Sequence, residues 1–341
     1  MAARALKISG GRSSWNGTTA TVFGATGFMG RYVVSKLGAV GCRVVLPYRG
    51  DELYTRHLKQ MGDLGAMNPL PITIRSLTDI EKAVGDSSIV INLLGKHYET
   101  SRWKFDDVNA TFPSVLAEVC AHQGVERLVH VSALAAAVDS PSAWARSKAV
   151  GERAVMQAMP SATVLRPAPV CGDEDRLLNR LAKFSRMLPF MPLYGGGVAR
   201  QQPVHVNDVA DAIVAVLKDP ATAGKSYSLG GPRAYTYKEL TDIVFKIIDD
   251  HPQVVSVPES FGLAFAKGMQ LLPDPWFTVD DFRLQMADLL VPEGAAGLAD
   301  LGITSPLDIA VEAERYLCRF RMKSEFIGDM STFIRPPGAG S

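Results

Sequence analysis

Two short stretches hold the residues that can act together on a ligand. In "TVFGATGFMGRYVV" the glycines Gly24, Gly27 and Gly30 recur at every third position, after an apolar run and before a segment of helical periodicity. The first glycine of such a turn permits the tight bend. The second lets backbone N–H groups approach a pyrophosphate, and the third brings the helix close to the strand. The helix N-terminus then offers unpaired N–H groups and a favourable dipole to phosphate. A dinucleotide is therefore expected here, with Ala25, Thr26, Phe28 and Met29 as the intervening contacts. The bland alternative is a turn that needs glycine only for its own geometry.

The second strand selects the dinucleotide. "RVVLPYRG" ends at Arg49, nineteen residues after Gly30, where an acid would bond a ribose 2′-hydroxyl. An arginine suits a 2′-phosphate instead, so NADPH is the expected cofactor. Arg31 also lies near the phosphate loop.

The second stretch is "SAWARSKAVGE", with Lys148, preceded by Ser132 in "LVHVSA". In short-chain dehydrogenases a tyrosine stands four residues before such a lysine, on the same helix face. It exchanges a proton with the substrate oxygen, while the lysine holds the ribose and depresses the tyrosine pKa. Here that position is Trp144. An indole N–H donates a hydrogen bond but accepts no proton. No other tyrosine is in register, since the neighbours in sequence are Tyr98 and Tyr194. No catalytic residue is assigned. Lys148 keeps a ribose-holding role, against the alternative of an ordinary solvated helix lysine.

These residues need a scaffold. Strand-length apolar runs occur at 20–23, 43–46, 89–94, 128–131 and 163–165, alternating with helical spacing such as 32–40 and 108–123. Strands apolar on both faces, alternating with helices, imply a covered parallel sheet. The right-handed βαβ rule makes it a doubly wound, Rossmann-like α/β fold. "PVHVNDVADAIVAVLKD" reads as one more strand entering a helix. Past about residue 172 Pro/Gly-rich loops and broken helices imply a smaller, mostly helical C-terminal lobe. The expected division is a basic arm over 1–17, a nucleotide domain over 18–172, and a lobe over 173–334 interleaved with Rossmann elements near 203–230. "RPPGAGS" over 335–341 reads as a disordered tail.

Composition narrows the class. The 341 residues are 47% hydrophobic, which supports a sizeable core, and 36 basic residues nearly cancel 35 acidic ones, which disfavours nucleic acid. Cys42, Cys120, Cys171 and Cys318 are far apart without a CxxC pair, and the six histidines lack ligand spacing, so no metal site is expected. No apolar run reaches membrane-spanning length. The first acid, Asp51, follows seven basic residues; such a start suits a mitochondrial presequence or a short basic arm. His205, Asn207 and Asp208 are read as a helix start with Asp208 capping, and "GDEDR" as a capping loop at least as readily as a metal loop. The largely apolar 254–272 segment suits a membrane surface, a partner or a core helix.

Beyond these local readings, the chain resembles the extended short-chain dehydrogenase/reductase superfamily. The resemblance lies in the glycine loop, "VINLLG", "VHVSA", the Lys148 helix, "VLRPAPVCG" and "PVHVNDVADAI". More narrowly it resembles the NADPH-binding accessory-subunit family of mitochondrial respiratory complex I, of the alpha-subcomplex subunit 9 type. "GGRSSWNGTTATVFGATGFMGRYVV", "VVLPYRGDE", "HLKQMGDLG", "SSIVINLLGKHYET", "GDEDRLLNRLA" and "DLGITSPLDI" carry it, from Gly10 to about Ile309.

That resemblance implies a non-catalytic, peripheral subunit on the matrix side of the inner membrane. It would sit near the junction of the two arms, among other complex I subunits, and support assembly and stability. Gly24, Gly27 and Gly30 match its dinucleotide loop, Arg49 its NADPH-favouring arginine, and Leu93, Leu94 and Gly95 its cofactor-lining backbone. Ser132 and Lys148 match positions beside nicotinamide and ribose, and Pro167 of "VLRPAPVCG" joins the same wall. The chain departs from the superfamily after the third strand, where "PLPITIRSLTD" lacks the acid that meets adenine. The competing readings are an active NADPH-dependent reductase or epimerase with an unusual acid, and an NADP-sensing regulatory protein.

Overall fold

The computed structural model describes residues 11–12, 15–250 and 252–321. The expected tail at 335–341 and most of the basic arm lie outside them. Among the described residues thirteen strands follow in chain order: β1 (Thr19–Phe23), β2 (Arg43–Tyr48), β3 (Met67–Pro71), β4 (Ile89–Asn92), β5 (Arg127–Val131), β6 (Thr163–Pro167), β7 (Val170–Cys171), β8 (Phe190–Tyr194), β9 (Arg200–Gln201), β10 (Val204–His205), β11 (Ser226–Leu229), β12 (Tyr235–Thr236) and β13 (Gln253–Val257). Between and after them lie α1 (Phe28–Ala39), α2 (Arg56–Lys59), α3 (Leu77–Val84), α4 (Phe112–Gln123), α5 (Ala143–Ala158), α6 (Leu178–Met187), α7 (Val206–Lys218), α8 (Tyr237–Ile248), α9 (Glu259–Met269), α10 (Val279–Gln285) and α11 (Ile309–Leu317).

Seven strands form one parallel sheet in the order β11-β6-β5-β4-β1-β2-β3. The order reverses between β1 and β4, which opens a crevice at the strands' carboxyl ends. Both faces are covered. Val33, Val34 and Leu37 of α1 and Val209, Ile213 and Leu217 of α7 pack on one side with Val22 and Ile91. Ile80 of α3, Leu116 of α4 and Val155 of α5 pack on the other with Phe23 and Val90. Adjacent strand residues thus face opposite cores, and both must be apolar.

Two elements depart from the sequence pattern. Strand β3 carries Pro69 and Pro71 and is not among the apolar runs. It sits at the sheet edge, where missing N–H groups cost little. The "PVHV" strand, β10, is two residues long and pairs with β7 outside the main sheet. The seventh main strand is instead β11, "SYSL", whose partner is β6. Its four residues alternate in polarity and give little strand signal.

The C-terminal lobe combines α6 and α8–α11 with the ladders β8–β13, parallel, and β9–β12, antiparallel. Its core centres on Phe277, fully buried against Phe184, Tyr194, Phe265 and Phe282. Capping boxes start α8 (Thr236 with Glu239) and α10 (Thr278 with Asp281). The 254–272 segment is β13 followed by α9, not one core helix. Gly262 and Ala266 are buried, whereas Val254, Val255, Phe261, Leu271 and Leu272 are exposed. Among the described residues no helix is long and apolar enough to cross a membrane.

A π-helical turn, Asp106–Thr111, precedes α4 and presses against α5. The contact is so close that a Cβ at Gly151 would lie 1.8 Å from the Asn109 carbonyl oxygen. Gly151→Ala should therefore cost about 3 kcal/mol or more. Gly268→Ala in α9, with nothing within 4 Å, should be neutral or stabilising by up to about 1 kcal/mol. Urea midpoints of the two variants check this, and equal midpoints would contradict the packing.

Candidate functional site

The crevice at the carboxyl ends of β1, β4, β5 and β6 opens into a cleft of about 460 Å³. Its floor is the turn after β1. Gly24 has φ +86°, and a Cβ there would lie 3.1 Å from the Leu93 carbonyl carbon and the Leu94 nitrogen. At Gly30 a Cβ would fall 2.3 Å from the Gly24 oxygen. No other side chain fits, so α1 begins hard against β1 with Gly27 at its N-cap and no side chain capping it. The free N–H groups of that first turn face the cleft, the arrangement that suits an anion.

Ten of the fourteen expected contacts line the cleft: Gly24, Gly27, Phe28, Met29, Gly30, Leu93, Gly95, Ser132, Lys148 and Pro167. The other four do not. Ala25 is fully buried beneath the loop and can offer only backbone. Thr26 is part of the turn without reaching the wall. The Leu94 side chain packs into the core beside α4, while its N–H is held by Asn92 Oδ1 at 3.0 Å. Arg49 stands exposed past the end of β2, with its guanidinium 5.5 Å from the Trp103 ring. Arg31 is engaged in an ion pair with Glu174.

Lys148 is the buried charge of the site. Its Nζ donates to the Val131 oxygen at 3.4 Å, and a Cβ at Gly95 would lie only 3.0 Å from it. Burial pushes its pKa down to about 8. Nearby, Ser132 Oγ and Trp144 Nε1 are buried without a hydrogen-bond partner in the protein. Such orphans are costly unless a ligand meets them. Together with the glycine floor and the free helix N-terminus, they fit a dinucleotide bound with its nicotinamide end toward Ser132.

Several cleft-side residues are not legible in the sequence. His97 stacks on Trp144 with centroids 5.7 Å apart and planes 19° from parallel. It lines the cleft and is exposed there. Burial, and then the Arg176 charge, hold it neutral at physiological pH. Buried Asn109 accepts from the Lys96 N–H at 3.2 Å and donates to Ser147 Oγ at 3.0 Å, joining the β4 loop to α5. Asp280 of α10 accepts from Ser142 Oγ at 2.7 Å, so the C-terminal lobe anchors the start of the helix that bears Trp144 and Lys148. Nothing in residue type or local spacing announces these long-range pairings.

Two other expectations resolve differently. Asp208 does not cap α7; His205 Nδ1 accepts from the Asn207 N–H at 3.3 Å instead. Asp208, in the first turn and buried, takes the Leu307 N–H at 2.9 Å. In "GDEDR", Asp175 accepts from the Asn179 N–H and the Tyr316 hydroxyl, each at 2.8 Å, and works as a capping residue. Among the described residues no three His, Cys, Asp or Glu side chains gather to hold a metal.

The buried ammonium has a testable cost. Between pH 8 and 10.5 the unfolded chain binds the Lys148 proton that the fold sheds, so nucleotide-free protein gains stability from this group as pH rises through that window. Lys148→Met should stabilise the nucleotide-free protein at pH 7 by roughly 1–3 kcal/mol and lose that advantage by pH 10. Thermal midpoints across pH read this; a destabilised variant at pH 7 would contradict it.

Comparison with known proteins places the chain. The NAD dependent epimerase/dehydratase family matches residues 20–230. The NADH dehydrogenase (ubiquinone) 1 alpha subcomplex subunit 9, mitochondrial, of Arabidopsis thaliana is 43% identical over 310 residues, 88% of this chain and 77% of that protein. The Mus musculus protein of the same name is 40% identical over 307 residues, 88% and 80%. Among solved structures, Thermus thermophilus UDP-glucose 4-epimerase in complex with NAD superposes with a TM-score of 0.65 at 19% identity, over 89% of this chain and 99% of that one, a likeness of fold. By its matching span and its relatives, the chain belongs to the NAD dependent epimerase/dehydratase family and to the family of complex I alpha subcomplex subunit 9 proteins.

Proposed function

We propose that this protein is a non-catalytic accessory subunit of mitochondrial complex I that binds NADPH and contributes to assembly and stability of the complex. One observation carries the non-catalytic part. The dinucleotide cleft is complete in its glycine floor, Ser132 and Lys148, yet the residue four before Lys148 is Trp144. Its buried N–H can hold an oxygen but cannot shuttle a proton. The nucleotide then acts as a structural ligand, adding stability because it binds only the folded chain.

NADPH over NADH is supported by the cations beyond the cleft wall. Arg49 and Lys96 lie close enough to repel, and burial together with the Arg49 charge holds the Lys96 pKa below its usual value. Between Arg49 and Arg75 stands Trp103, with guanidiniums at 5.5 and 4.2 Å. Arg49 past the end of β2 and Lys96 in the loop after β4, neither ion-paired among the described residues, suit a 2′-phosphate. The partners would be other complex I subunits, with the protein peripheral on the matrix side of the inner membrane. The exposed Phe261, Leu271, Leu272 and Trp276 of the C-terminal lobe supply an apolar patch for contact with a membrane surface.

Nucleotide titration of the purified chain tests the proposal. NADPH should bind at least about tenfold more tightly than NADH, and Arg49→Gln should remove most of that preference while leaving NADH affinity within about twofold. Bound NADPH should remain reduced in the presence of carbonyl compounds. Equal affinity for the two nucleotides, or oxidation of NADPH, would overturn the reading.

A further inference from the structure

The cleft does not end at Ser132 and Lys148. It continues into the C-terminal lobe, between Arg176, Leu177 and Arg180 on one side and Leu284, Gln285 and Leu289 on the other. The charges in this half are uneven. Arg180 is neutralised by Asp281 at 3.0 Å. Glu174, also on the wall, is taken by Arg31. Arg176 is left with no hydrogen bond or ion pair among the described residues.

An exposed guanidinium on a partly apolar cleft wall without a counter-charge raises the local potential, and the concave walls focus it. The effect already reaches His97, whose protonation burial and Arg176 together suppress. On the cleft wall Trp144 Nε1 and Ser132 Oγ are buried without a hydrogen-bond partner among the described residues. His97 stacks on the indole and fixes its direction. Two donors, the Trp144 N–H and the Ser132 hydroxyl, therefore lie in the cleft with Leu177, Leu284 and Leu289.

We propose that this half of the cleft is a binding site for a second, unreacted ligand: an oxyanion, carboxylate or phosphate, on a short apolar chain. Arg176 meets its charge, and the Trp144 N–H and Ser132 hydroxyl meet an oxygen. Guanidinium geometry favours two-pronged contact with such groups. The indole takes no proton, so Trp144 holds the ligand without acting on it. The assignment rests on the dinucleotide reading only in that NADPH fills the other half.

The test uses the full-length chain, with and without saturating NADPH. Octanoate and octyl phosphate are titrated by calorimetry, with octanol as the uncharged control, on wild type and Arg176→Gln. The Arg176 guanidinium bonds to nothing among the described residues, so the variant should keep the wild-type thermal midpoint. The expected result is saturable binding of one or both anions to the NADPH-bound protein, no comparable binding of octanol, and about a tenfold loss in Arg176→Gln. Which anion binds more tightly identifies the head group. Absence of anion binding, octanol binding equally well, or an Arg176→Gln affinity equal to wild type would overturn the proposal. If NADPH fails to bind while Arg176-dependent anion binding persists, the dinucleotide reading falls and the anion site stands.

Discussion

The approach of α1 to β1 governs the rest of the molecule. At Gly30 the helix backbone sits where a Cβ would be 2.3 Å from the Gly24 oxygen, and that contact fixes where the helix starts and points. Because α1 begins there, its uncapped N–H groups face the crevice between β1 and β4. Its other face delivers Val33, Val34 and Leu37 to the core shared with α7. Packing and ligand geometry are therefore one constraint. A helix displaced to admit a side chain at position 30 would open the core and turn its dipole away from the cleft.

The opposite wall is positioned just as tightly, but by polar contacts. Asn109 in its π-helical turn holds the Lys96 backbone with one end of its amide and Ser147 with the other. Asp280 pins the start of α5 from the C-terminal lobe. Lys148, Trp144 and His97 are thus set by elements far apart in sequence. The indole in that wall donates a hydrogen bond and takes no proton. On the proposed reading such a frame holds ligands rather than transforming them, and the desolvated ammonium of Lys148 costs the nucleotide-free fold stability.

Much of this was legible in the residues. The glycine spacing, the doubly apolar strands and the Trp144–Lys148 interval each express a local rule, and local rules can be read from one sequence. Strand β3, with two prolines, and β11, with four residues of mixed polarity, escaped because edge strands need only half the signal of central ones. Asp208 misled for another reason. An acid in a first turn usually serves that turn, but here the Leu307 N–H comes from about a hundred residues away and takes it. The same holds for His97, Asn109, Lys96 and Arg176, whose roles exist only once the lobe and the β4 loop meet over the crevice. Arg49 was legible as a cation at the end of β2, whereas its neighbours Trp103 and Lys96 were not.

The central claim is a bound, unreacted nucleotide inside a large assembly. It is tested most directly by isolating the protein from its source in mild detergent and resolving the extract on a native gel. The band carrying this chain is then assayed for extractable NADPH before and after exposure to carbonyl compounds. The account predicts co-migration with the inner-membrane NADH dehydrogenase complex and an NADPH content that the carbonyl compounds leave unchanged. A free protein of the chain's own size whose nucleotide is consumed by the added carbonyl would contradict it.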